Sequence, residues 1–122
     1  MTIHLHSFAL ALSLFLLVPA GQEVLILEPG KVVEREIAGG ESHTYQIQLA
    51  AGQFARFRLE QRAIDAALTL TAPDGKQLVE INLTRGGEQE SLSVEAAASG
   101  IYRVVVRNSE ATPPRGSYRL EA

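Results

Sequence analysis

Outside the N-terminal segment the chain has a single histidine, His43, and it directly follows Ser42. Imidazole beside a hydroxyl is the raw material of a nucleophilic relay, in which a carboxylate orients the histidine and the histidine takes the serine proton. Neighbours on a strand point to opposite faces, however, so Ser42 and His43 are not expected to meet, and His43 reads as a solvated strand or turn residue. Asp65 and Asp74 are the only aspartates. Calcium needs several converging oxygens, so Asp65 is a metal candidate only if other ligands join it; its simpler role is to cap a strand end or turn. Arg56, Arg58, Arg103 and Arg107, with Arg119, occupy outward strand positions and together could line a surface for an anionic ligand. Glu34, Glu36, Glu60, Glu80, Glu95 and Glu121 are equally available as cross-strand partners, each pair contributing roughly 0.2–1 kcal/mol. A solvated charge lattice that guards the sheet edges is the expected outcome. Cysteine is absent, which excludes thiolate catalysis, Cys-ligated zinc and disulfides. None of these residues calls for a cofactor.

The elements that would position them follow from turns and alternation. Pro29-Gly30, Gly39-Gly40, Ala51-Gly52, Pro73-Asp74-Gly75, Arg85-Gly86-Gly87, Ser99-Gly100 and Pro113 to Gly116 recur at about the 8–12-residue spacing of an all-β sandwich or barrel. Between them lie period-two stretches, the pattern of half-buried strands. Strands are predicted over Glu23–Leu27, Lys31–Ile37, Ser42–Leu49, Phe54–Gln61, Ile64–Ala72, Lys76–Thr84, Gln89–Ala97, Ile101–Asn108 and Gly116–Ala122. Ser91–Ala98 has enough alanine for a helix, yet Leu92, Val94 and Ala96 fit alternation better. Tyr45, Ile47, Phe57, Leu68, Leu70, Val94, Tyr102, Val104 and Tyr118 should face inward. Gln46, Gln48, Arg58, Thr69, Arg103 and Arg119 should be exposed. With all three tyrosines inward, no aromatic platform for sugar stacking is left. One apolar and one wet face per strand predicts two sheets packed face to face, an all-β antiparallel β-sandwich of jelly-roll-like kind.

Before the first strand, the apolar run from Phe8 to Val18 has the length of a signal-peptide core, and Val18-Pro19-Ala20 supplies small residues for cleavage before Gly21. It is short for a bilayer span, which needs about 20 apolar residues. The expected organisation is a short helical signal peptide over residues 1–20 and one domain over 21–122, secreted or periplasmic. An uncleaved membrane anchor is the rival, since the segment ahead of Phe8 has no Lys or Arg. The net charge of −3 is mild, and acidic and basic residues alternate. No basic block points to nucleic acid.

Read in order, Ser42-His43-Thr44-Tyr45-Gln46-Ile47, Leu49-Ala50-Ala51-Gly52-Gln53, Ile64-Asp65-Ala66-Ala67-Leu68-Thr69-Leu70 with Ala72-Pro73-Asp74-Gly75, Ser99-Gly100-Ile101-Tyr102-Arg103-Val104 and Gly116-Ser117-Tyr118-Arg119-Leu120 resemble the bacterial pre-peptidase C-terminal domain. That family comprises jelly-roll-like accessory domains of secreted proteins. Glu60-Gln61-Arg62 before Ile64-Asp65 is similar to the copies that precede tetratricopeptide repeats and caspase-like (CHAT) peptidase domains. The resemblance implies a non-catalytic accessory domain with no catalytic residue to carry over, serving stability, surface binding or localisation of a parent or partner protein. Some relatives bind calcium through a second aspartate two positions after the first; that place is Ala67 here, which removes a ligand. Two other classes stay open: a carbohydrate- or cell-wall-binding module, and a regulatory domain associated with a peptidase. The partners implied are a protein or a cell-surface polysaccharide.

Overall fold

Alternation and turns sort the chain into nine strands in a computed structural model that describes residues 23–82, 89–109 and 115–122. In chain order they are β1 (Val24–Ile26), β2 (Val32–Ile37), β3 (Ser42–Leu49), β4 (Phe54–Arg62), β5 (Ala66–Thr71), β6 (Gln77–Asn82), β7 (Gln89–Glu95), β8 (Gly100–Asn108) and β9 (Gly116–Glu121). Each matches an expected strand, and Ser91–Ala98 is strand and bend rather than helix. The signal-segment expectation lies outside the described residues.

The strands form a five-stranded sheet of order β1-β3-β8-β5-β6 and a four-stranded sheet of order β2-β9-β4-β7. Only the β5–β6 connection joins neighbours within one sheet; every other connection changes sheets, as in jelly rolls. That one hairpin is built by Pro73-Asp74-Gly75. The Gly75 amide donates to the Ala72 carbonyl (2.9 Å) and the Lys76 amide to Asp74 Oδ1 (2.9 Å). Gly75 has φ 87°, a conformation open to glycine at little cost. All strand pairs are antiparallel except β1 with β3, where Leu25 lies opposite Tyr45. The reason is the route: the chain leaves β1 for β2 in the other sheet and returns to β3, and two reversals restore the original direction.

Between the sheets sits a core that includes Tyr45, Phe57, Leu59, Leu70, Tyr102, Val104 and Leu120, all buried. Each such side chain contributes roughly 1.5–3 kcal/mol by leaving water. Tyr102 also donates its hydroxyl to the Ala98 carbonyl (2.8 Å), tying the start of β8 to the chain four residues upstream. The inward register holds with one qualification. Val94 is half-buried, because β7 is an edge strand with β4 on one side only among the described residues. Thr69 and Gln46, expected outside, are on the outer face but half-buried within the five-stranded sheet. Ala67, also outward by parity, is buried between Asn82 and Arg107 on the adjacent strands.

Candidate functional site

His43 corrects the expectation of a solvated residue, for it is only 1% exposed. The cause is parity: on β3 it shares its face with Tyr45, Ile47 and Leu49, and that face is the core. A buried imidazole needs partners at both nitrogens, and it has them. Nδ1 lies 2.7 Å from the Tyr118 hydroxyl and Nε2 lies 2.6 Å from Glu41 Oε1. Tyr118 in turn is hydrogen-bonded to the Tyr45 hydroxyl. The guanidinium of Arg35, an inward residue of β2 between Val33 and Ile37, lies close enough to the Tyr45 and Tyr118 hydroxyls to act on them electrostatically.

Four side chains, Glu41, His43, Tyr118 and Tyr45, therefore form a chain of hydrogen bonds between the sheets, with Arg35 beside its Tyr45 end. Glu41, His43 and Tyr45 come from the five-stranded side, and Tyr118 and Arg35 from β9 and β2 of the other. Its carboxylate end sets its direction, since carboxylate only accepts. With neutral imidazole, Nε2–H donates to Glu41, Tyr118 to Nδ1, and Tyr45 to Tyr118. Electrostatics follow the same order. The bond from His43, opposed by partial burial, holds the Glu41 carboxyl below its ordinary range. Burial and the Tyr45 bond push the Tyr118 hydroxyl well above the usual tyrosine range. Burial alone would lower Arg35, but the neighbouring Tyr45 and Tyr118 phenols outweigh that and raise it.

Register explains how the chain is assembled. Tyr118 on β9 lies opposite Arg35 on β2 and opposite Gln61 on β4, so three polar residues make one inward row across the four-stranded sheet. Gln61 is buried and its Oε1 accepts the Ala66 amide (2.8 Å), closing the turn ahead of β5. Asn108, also buried, donates its amide N–H to Glu41 O (3.0 Å) and accepts the Gly40 N–H (3.0 Å) at its carbonyl, fixing the turn that presents Glu41. Neither Gln61 nor Asn108 stood out in the sequence, although strand parity places both inward. Arg35 was equally readable from Val33 and Ile37.

Chemically, the arrangement is a structural bridge. Both His43 nitrogens are already engaged, so neither is left to serve a hydroxyl nucleophile, and Ser42 lies on the opposite side of β3. Asp65 sits in the β4–β5 connection, half-buried, with its carbonyl accepting the Ser109 amide (2.8 Å). Among the described residues no group of three or more His, Cys, Asp or Glu is placed to hold a metal.

The arginine candidates are divided between the two outer faces. Arg56 and Arg58 lie on β4 in the four-stranded sheet, Arg103 and Arg107 on β8 in the five-stranded sheet. The four-stranded face carries a mixed lattice. Glu34, Arg119 and Glu60 form one row across β2, β9 and β4, and Arg119 Nε approaches Glu34 within 3.7 Å. Two shallow depressions of about 210 and 220 Å³ share Glu60 and Arg119 as walls, each lined by residues of both signs.

The fold has solved counterparts. It is similar to the pre-peptidase C-terminal domain of collagenase from Bacillus anthracis, with TM-score 0.59 and 13% identity over 81% of this chain and 93% of that one. It is also similar to PliG from Aeromonas hydrophila, a periplasmic lysozyme inhibitor of g-type lysozyme, with TM-score 0.59 and 14% identity over 80% and 91% of the two chains. Salmonella Typhimurium PliG gives TM-score 0.51 and 18% identity over 81% and 97%. No family model and no curated protein matches the sequence. The likeness is one of fold: this chain is a two-sheet β-sandwich, an architecture it shares with that pre-peptidase C-terminal domain and with the PliG inhibitors.

Proposed function

We propose that the chain is a non-catalytic accessory domain of the cell exterior or periplasm, supporting the stability, surface attachment or localisation of a partner. The observation that carries this reading is the hydrogen-bonded chain from Tyr45 through Tyr118 and His43 to Glu41. A catalyst needs a nucleophile or activated water, a base and a charge stabiliser converging on open space. Here the one histidine of the sandwich is inside the core with both nitrogens engaged, and its neighbours are spent on joining two sheets. The similar structures support the reading in kind, being a domain of a collagenase and inhibitors described as periplasmic. The apolar Phe8–Val18 run supports export.

The test has two arms. The full chain, expressed with its N-terminus, should appear outside the cytoplasm with an intact mass that begins at Gly21; soluble exported protein retaining Met1 would overturn the processing. Purified protein should show no turnover of peptide, ester or glycoside substrates, with or without chelator. Turnover that disappears in a His43→Ala variant shown by circular dichroism to be folded, but survives in Lys31→Gln, would overturn the accessory reading.

A further inference from the structure

The two outer faces differ in a way that selects a ligand. On the five-stranded sheet, β8 runs through the middle and presents Arg103 and Arg107 outward, both exposed. They are four residues apart on one strand, hence roughly 13 Å between their Cα atoms. Arg103 lies between Gln46 and Thr71, and Arg107 between Ser42 and Ala67, so no acid stands directly opposite either. Neither arginine has an ion pair among the described residues; on the other face Arg56 and Arg58 have none either, but there Arg58 lies opposite Glu121 and Arg119 lies between Glu34 and Glu60. The acid facing outward from this sheet's strands is Glu80, on edge strand β6 opposite Thr69. The rest of the face is neutral and rich in hydroxyl and amide groups, with Ile26 and Ile101 exposed at 68% and 54%.

The geometry points to this face as the docking surface for an extended carboxylated polysaccharide, a polyuronate chain lying along β8. This deepens the accessory reading and rests on it. Charge complementarity is the argument: two exposed guanidinium groups at strand spacing, with no ion pair among the described residues, suit carboxylates repeated along a polymer, through planar bidentate bonds. Rows of Thr, Gln and Ser suit the intervening hydroxyls. A protein partner fits less well, because the aromatic anchors of binding hot spots are missing: the chain has no Trp and all three tyrosines face the core. A neutral sugar lacks both the charge and an aromatic to stack on.

The test is affinity electrophoresis and titration calorimetry of the full chain with polygalacturonate, with dextran and polyphosphate for comparison. Polygalacturonate should bind and dextran should not, and the double variant Arg103→Gln/Arg107→Gln should bind about tenfold or more weakly. Arg56→Gln/Arg58→Gln, which removes the same charge from the opposite face, should bind like wild type. Circular dichroism and melting temperature confirm that both variants are folded, since all four side chains are exposed. Absence of binding, equal loss in both double variants, or binding of polyphosphate but not polygalacturonate would overturn the proposal. None of those results touches the accessory reading, which falls on turnover alone.

Discussion

His43 of β3 and Tyr118 of β9, seventy-five residues apart, are joined across the sandwich by a 2.7 Å hydrogen bond. Their rings are tilted by 48° with centroids 5.6 Å apart, so the contact is an edge-on bond rather than a stack. The bond ties the sheets at a point where neither residue alone could be buried cheaply. Isolated polar groups in a core cost free energy, and a hydrogen-bonded chain of them favours one register of sheet against sheet.

Tyr118→Phe keeps the ring and removes the hydroxyl that serves both His43 and Tyr45. Two buried groups lose a partner, so urea denaturation should show a loss of about 1–3 kcal/mol. Tyr45→Phe should cost a comparable amount, and the double variant less than the sum, because both break the same link. Strict additivity would show that the hydroxyls act separately.

Glu41 gives the chain a pH signature. Its folded pKa lies below the ordinary carboxyl value of 4.5, chiefly through the bond from His43. A depressed carboxyl binds fewer protons folded than unfolded, so its contribution is present above about pH 4.5 and is lost as pH falls through the folded value. Wild type should therefore lose stability faster than Glu41→Gln on acidification from pH 5 to pH 3 (about the range where carboxyls titrate). Parallel stability curves for the two proteins would exclude the bond.

Tyr102 tests the register from the other end of the core. Tyr102→Ala should cost about 3–5 kcal/mol, in line with large aromatic truncations. Tyr102→Phe, which loses only the bond to the Ala98 carbonyl, should cost about 1 kcal/mol. An unchanged melting temperature in Tyr102→Ala would mean the side chain does not face inward.

Much of this was legible in the residues. Alternation in Ser42–Leu49 and Ile101–Asn108 is strong because both strands are central, with one face sealed and the other wet. It is weaker in Val32–Ile37, where Arg35 occupies an inward place, and in Gln89–Glu95, where Leu92 and Val94 lie at an edge and are half-buried. The polar chain was missed for a physical reason. Polarity argues for the surface while parity argues for the core, and at His43 parity wins because Tyr118 and Glu41 supply its partners. Those partners come from a neighbouring turn and from a strand in the other sheet, and only the sheet-switching topology brings them together. The division of the four arginines was hidden likewise: outward is visible in a single strand, but which sheet it is outward from is not.

Gly116 offers the sharpest local test. It opens β9, where a Cβ would overlap Ile64 Cγ2 and the Arg62 carbonyl oxygen. Overpacking a finished core costs typically 1–3 kcal/mol, and here one of the obstructing atoms belongs to the backbone. Gly116→Ala should therefore fall at or above the upper end, and shortening Ile64 to Ala should not restore stability, since the Arg62 oxygen stays in place. Gly75→Ala is the contrasting case. A Cβ at Gly75 meets nothing within 4 Å, and its cost comes from φ 87° alone, about 1–2 kcal/mol. Chemical denaturation of the three variants separates crowding from backbone strain. If Gly116→Ala proves milder than Gly75→Ala, then β9 does not enter the sandwich as closely as described, and the placement of Tyr118 beside His43, two residues further along the same strand, would fall with it.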